Sequence, residues 1–129
     1  MTRTYGGTYR GECRSETCEQ IDCMGWLEHN HPERFALCFH TPNETKASAQ
    51  YMQKRQKMGV KPGVPDVIDL AGPVPGLFEL KRLDRAKSKL SNEQRDFLTA
   101  ADARGHFTAV CYGFSAFKEA YAEFLRLHG

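Results

Sequence analysis

A chain of 129 residues, 40% hydrophobic and 26% charged, has the length of one domain and the apolar content to bury a core, which excludes a disordered tail. Eighteen Lys and Arg against sixteen Asp and Glu leave a net charge of +2, which excludes a polycation but not a local basic face. No apolar run approaches the roughly 20 residues that span a bilayer, and residues 1–6 lack the apolar stretch of a secretory signal, so a cytoplasmic protein without membrane contact is expected.

Five cysteines (Cys13, Cys18, Cys23, Cys38 and Cys111) should then be reduced. Structural zinc sites favour ligand pairs two to four residues apart. The first three cysteines stand five apart, and His29, His31, Cys38 and His40 match no tight knuckle, so buried or incidental thiols are expected.

In chain order, residues 1–14 read as a mobile N-terminal arm. Ser15 is an N-cap residue type, followed by Glu16 and Glu19 at the positive end of a helix dipole. Ile21, Met24 and Leu27 continue that helix at three-residue spacing, and it should end before Pro32. Residues 34–40 (RFALCFH) predict a short buried strand, and residues 44–58 a second helix closed by Gly59. Strands over 64–70 and 77–82 flank a turn of sequence AGPVPG. Ser91-Asn92-Glu93-Gln94 is a capping box opening a helix with Phe97, Leu98 and Ala101 inward, which Gly105 should stop. Residues 106–112 predict a strand. Ser115 should start a last helix with Phe117, Ala120, Tyr121, Phe124 and Leu125 inward. The order α-β-α-β-β-α-β-α defines an α/β domain, a mixed sheet flanked by helices, as a single unit over 1–129.

Chemistry concentrates on the two middle strands. Asp66 is the first acid after Glu44 and interrupts an apolar strand. In Phe78-Glu79-Leu80-Lys81 the two-residue period puts Glu79 and Lys81 on one face and Phe78 and Leu80 on the other. The turn folds the second strand back, so Asp66 can lie beside Glu79. Paired carboxylates must protonate, pair or bind a cation. Hard oxygen ligands with open positions suit Mg²⁺, and an adjacent lysine can position water or steady charge on a phosphate. Taken alone, Glu79-Leu80-Lys81 reads as a common surface Glu–Lys pair.

Gly63-Val64-Pro65-Asp66-Val67, then Phe78-Glu79-Leu80-Lys81-Arg82, then Leu90-Ser91-Asn92-Glu93-Gln94 resemble the VRR-NUC domain, a branch of the PD-(D/E)XK nuclease superfamily. The likeness starts at Ser15-Glu16 and Gln20, passes through His40-Thr41-Pro42-Asn43 and reaches the last helix. It implies a restriction-endonuclease-like fold and a Mg²⁺- or Mn²⁺-dependent nuclease, similar to phage and bacterial stand-alone members. In that likeness Asp66, Glu79 and the Leu80 carbonyl hold metal, and Lys81 is the catalytic lysine. Glu16 is a further acid for catalysis or metal, with Glu19 as the fallback if the helix register differs. Gln94 lines the site or simply completes the capping box, and His40 and Asn43 belong to a neighbouring loop.

Between Glu44 and Asp66 lie Lys46, Lys54, Arg55, Lys57 and Lys61 with no acid; Lys81, Arg82, Arg85, Lys87 and Lys89 follow with only Asp84. These runs flank the acidic pair and are candidate nucleic-acid contacts. The expected function is DNA phosphodiester hydrolysis on branched or duplex DNA, with the four-way junction as the favoured substrate. The alternatives are a catalytically silent DNA-binding or assembly module and a nuclease acting on RNA. A two-fold homodimer is expected, its apolar surface drawn from Tyr121, Phe124 and Leu127 or from around Trp26.

Overall fold

The computed structural model describes residues 1–42 and 48–129. In chain order the elements are β1 (Arg3–Tyr5), α1 (Glu16–Asn30), α2 (Pro32–Phe35), β2 (Cys38–His40), α3 (Ala49–Lys57), β3 (Val67–Asp69), β4 (Gly76–Lys81), a 3₁₀ turn (Arg85–Lys87), α4 (Asn92–Ala103), β5 (Phe107–Tyr112) and α5 (Phe114–His128). The strands form one sheet in the order β1-β5-β4-β3-β2. β1, β5 and β4 run parallel, whereas β3 is antiparallel to both β4 and β2.

Alternation along β4 divides the core between two layers. Phe78 and Leu80 face α1 and α5, packing with Cys23, Leu27, Phe117, Tyr121 and Phe124. Leu77 faces α4 and packs with Leu98, Ala101, Val110 and Tyr112. Both central strands, β4 and β5, are buried along their whole length, which is why β5 reads as one nearly continuous apolar run. Glu79 and Lys81 share the α4 face with Leu77 and so enter the interior as ionisable groups.

Four sequence expectations are corrected. Arg3–Tyr5 belongs to the sheet, with the Thr2 hydroxyl 2.8 Å from that of Thr108. Residues 34–40 are not one strand: Pro32 opens α2, and only Cys38–His40 pairs. Arg34 is held there by Asp69 at 3.3 Å and the Tyr121 hydroxyl at 3.0 Å, which a strand would not supply. Of the helix expected over 44–58, Ala49–Lys57 is observed with Ser48 as N-cap, and residues 43–47 lie outside the described residues. The strand expected over 64–70 pairs only from Val67, because Pro65 has no amide to donate and Asp66 turns toward Leu80.

The last helix begins at Phe114 rather than Ser115, and its N-cap Gly113 has φ +94° and no capping side chain. Glu19 takes that role from α1, accepting from the Phe114 amide at 2.7 Å. Tyr121 and Phe124 are wholly buried, so they belong to the core and offer no pairing surface. Leu127 is exposed, while Trp26 is half-buried edge-on against Phe117 and Tyr121.

Candidate active site

The site is built around the start of β3 and the middle of β4. Val67 pairs with Phe78, so one step back along the register sets Asp66 opposite Glu79. Asp66 Oδ2 accepts from the Leu80 amide at 2.8 Å, which fixes its carboxylate against β4. The turn carrying Asp66 is itself clamped from β2. The Thr41 hydroxyl donates to the Pro65 carbonyl at 2.6 Å, and His40 Nδ1 lies 2.8 Å from the Asp66 carbonyl. A carbonyl can only accept, so Nδ1 carries the His40 proton.

Gly63 explains the start of the Gly-Val-Pro-Asp run. It is buried at φ +81°, and a Cβ there would stand 2.3 Å from the Glu93 carbonyl oxygen and 2.7 Å from the Gln94 amide nitrogen. Only glycine lets this segment lie against the first turn of α4. That contact brings Gln94 to the carboxylates.

Gln94 Nε2 donates to Glu79 Oε1 at 2.8 Å, while its Oε1 accepts from the Ser91 amide at 2.9 Å and from Lys81 Nζ at 3.0 Å. The two roles weighed for Gln94 are therefore one: the capping box and the site share a side chain. Lys81, 4% exposed, also donates to the Lys89 carbonyl at 2.8 Å and stands 3.8 Å from Glu79 Oε1. Glu79 is 1% exposed. Burial first, and the Asp66 carboxylate second, hold its carboxyl well above the ordinary carboxylate range, against the pull of Lys81.

Asp66, Glu79, Leu80, Gln94, Glu16 and His40 line one cavity of about 410 Å³. Glu16 reaches its rim from the first turn of α1, where Oε2 accepts from the Ser88 hydroxyl at 3.0 Å. Glu19 does not reach it, being engaged by Arg14 and the Phe114 amide. Sequence reasoning gave no site role to Thr17 and Gln20, which also line the cavity. The signal for Gln20 was its four-residue spacing from Glu16 on one helix face. Among the described residues its buried Nε2 has no hydrogen-bond partner.

The basic candidates divide. Arg82 is tied to backbone, donating to the Cys13 and Arg14 carbonyls at 2.8 and 3.1 Å, and Lys87 donates to the Gly11 carbonyl at 2.7 Å. Arg85 lies over the Tyr112 ring at 5.1 Å, and Lys89 is exposed. Lys54, Arg55 and Lys57 ride on α3, none of whose residues is buried; Lys61 follows, exposed. Asn43 lies outside the described residues.

A divalent cation fits the donors present. Among the described residues Glu79 Oε2 is buried without a partner beside a second carboxylate, and Leu80 lines the same cavity. Among the described residues no three His, Cys, Asp or Glu side chains converge, so Glu16 does not close a three-carboxylate cluster. A site with two carboxylates matches the preference of Mg²⁺ for keeping several waters. No described helix is long and apolar enough to cross a membrane.

The mixed five-stranded sheet with flanking helices is a restriction-endonuclease-like α/β fold. A solved structure named VRR_NUC domain protein shares it with a TM-score of 0.72, over 90% of this chain and 92% of its own, at 19% sequence identity. No family model matches the sequence. No curated protein matches it either.

Proposed function

We propose that this chain is a nuclease that hydrolyses DNA phosphodiester bonds with Mg²⁺ or Mn²⁺. The observation that carries the reading is the buried Glu79 Oε2, without a partner among the described residues, beside Asp66, with Lys81 Nζ 3.8 Å from the other Glu79 oxygen. The shared fold with a protein named for a VRR_NUC domain supports it. Asp66, Glu79 and the Leu80 carbonyl would hold the ion. When bound, it would neutralise charge on the phosphate and acidify a water for in-line attack.

The protein's own groups do the rest. Lys81 is held by Gln94 and the Lys89 carbonyl with its ammonium toward Glu79, where it can orient the attacking water or meet charge growing on the phosphate. Gln94 fixes the rotamer of Glu79. Glu16 and Gln20 face the same cavity from α1 and are placed to order water or a phosphate oxygen. The cations of α3 and Lys61 supply a salt-sensitive approach for the backbone.

The deciding experiment is strand cleavage with and without Mg²⁺ by the wild type and by Asp66→Asn. Metal-dependent cutting that the variant loses supports the reading. Full activity in Asp66→Asn overturns it, binding without cutting makes the chain a DNA-binding module, and cutting confined to RNA reassigns the substrate.

The finer reading is a two-fold homodimer acting on branched DNA. One Asp66–Glu79–Lys81 set serves one phosphate, so paired cuts need two chains. With Tyr121 and Phe124 in the core, the apolar surface for pairing falls to edge strand β2 and its surroundings, where Leu37, Phe39 and Leu70 are exposed. Sedimentation together with strand-mapped cleavage of a synthetic four-way junction tests both parts. A monomer that nicks junction and linear duplex alike rules them out.

A further inference from the structure

A second, larger concavity, of about 640 Å³, opens on the α4 face of the sheet across the 82–91 loop from the carboxylates. Arg85 and Lys89 enter it from the loop, Asn92 and Arg95 from α4, and Tyr112 and Thr4 from β5 and β1. Three of its lining residues are cations and none is a carboxylate. Among the described residues none of these three cations is in an ion pair. Arg85 is held in place by stacking on Tyr112 at 5.1 Å, and Arg95 by the Asn92 side chain at 3.3 Å. Three cations without an ion-pair partner among the described residues, two of them held in place, line one concave surface and favour the entry of an anion.

The sheet register measures how far this groove lies from the candidate active site. Thr4 pairs with Val110, and Val110 pairs with Glu79. Neighbouring strands are roughly 5 Å apart, so the groove floor lies roughly 5 to 10 Å from Glu79. One strand of a duplex advances about 3.4 Å per nucleotide. A backbone with one phosphate at Glu79 therefore reaches the groove within about two to three nucleotides. The intervening loop is tied to both sides: the Ser88 hydroxyl bonds Glu16 in the first cavity, and Lys89 lines the second.

We propose that this groove binds the phosphate backbone of the cleaved strand two to three nucleotides from the bond held at Asp66 and Glu79, with Arg95 and Arg85 as its main contacts. The inference rests on the nuclease reading for the position of the cut, but the groove's own test reads binding.

The test is titration of fluorescent duplex oligonucleotides in metal-free buffer, with the wild type, Arg95→Ala, Arg85→Ala and, as a control at the far end of α4, Arg104→Ala. For a duplex long enough to cover both cavities, Arg95→Ala should weaken binding by roughly tenfold and lower the log–log salt slope by about 0.9. Arg85→Ala should act in the same direction, and Arg104→Ala should match the wild type. Unchanged affinity and slope in both groove variants would overturn the proposal, as would an equal loss in Arg104→Ala. A protein that shows the Arg95 effect yet never cuts loses the nuclease reading and keeps the groove. One that cuts normally with Arg95 and Arg85 removed loses only the groove.

Discussion

Gln94 and Glu79 are joined by a 2.8 Å hydrogen bond from a side chain that also caps a helix. The amide serves two masters through its two ends, Nε2 toward Glu79 and Oε1 toward Ser91 and Lys81. Gln94→Glu keeps an acceptor for the Ser91 amide but sets a second carboxylate against Glu79. It should retain most of the helix stability while cutting turnover at least tenfold. Gln94→Ala loses both functions and should also lose about 1 kcal/mol of stability. Denaturant melts set beside cleavage rates separate the two; equal activity in Gln94→Glu would reduce Gln94 to a cap.

The raised carboxyl of Glu79 predicts a pH-dependent stability in metal-free buffer. A carboxyl that holds its proton more tightly in the folded state than in the unfolded chain stabilises the fold fully below the ordinary carboxylate value. That contribution is lost as pH rises through the elevated value. The melting temperature with chelator present should therefore fall as pH rises above about 5. Glu79→Gln should flatten the trend. A wild-type profile as flat as that of Glu79→Gln would contradict the assigned cause.

Gly63→Ala should be among the most damaging single substitutions. The added carbon meets backbone atoms of Glu93 and Gln94, which cannot rotate away, and the positive φ adds strain. A loss of at least about 2 kcal/mol is expected by denaturant unfolding. A change within about 0.5 kcal/mol would show that α4 can shift without cost.

Glu16 and Glu19 should separate cleanly. Glu19→Ala leaves the α5 amide without its acceptor and Arg14 with Asp22 alone, and should destabilise by about 1 to 2 kcal/mol. Glu16→Ala removes an exposed side chain at the cavity rim and should leave the melt nearly unchanged while slowing cleavage. Reversal of the two phenotypes would move the α1 acid of the site to Glu19.

These two acids also show where the sequence is and is not legible. Both lie in the first turn of α1, and nothing local distinguishes them. The choice is made by Gly113, 94 residues from Glu19, whose missing side chain leaves the α5 terminus to be capped from outside. By contrast, the Ser15 and Ser91 caps and the Glu79–Lys81 alternation depend on neighbours within four residues and are visible in the string. The break between α2 and β2 escaped because a short apolar run of five residues fits either state, and the deciding partners of Arg34 are on β3 and α5. The groove around Arg95 was equally hidden. Its cations come from two elements, and its floor from a third and a fourth.

β1 carries a consequence for synthesis. Its three residues leave the ribosome before any other strand, yet the bond between Thr2 and Thr108 spans 106 residues. The growing chain must complete β5 before this edge can close, and such long-range pairing is slow. In that interval β5 presents a bare edge on a largely apolar strand, the kind of template on which neighbouring nascent chains cross-pair. β1 therefore waits for a partner more than a hundred residues downstream, and yield during expression should respond to changes at Arg3–Tyr5 more than the stability of the finished protein does.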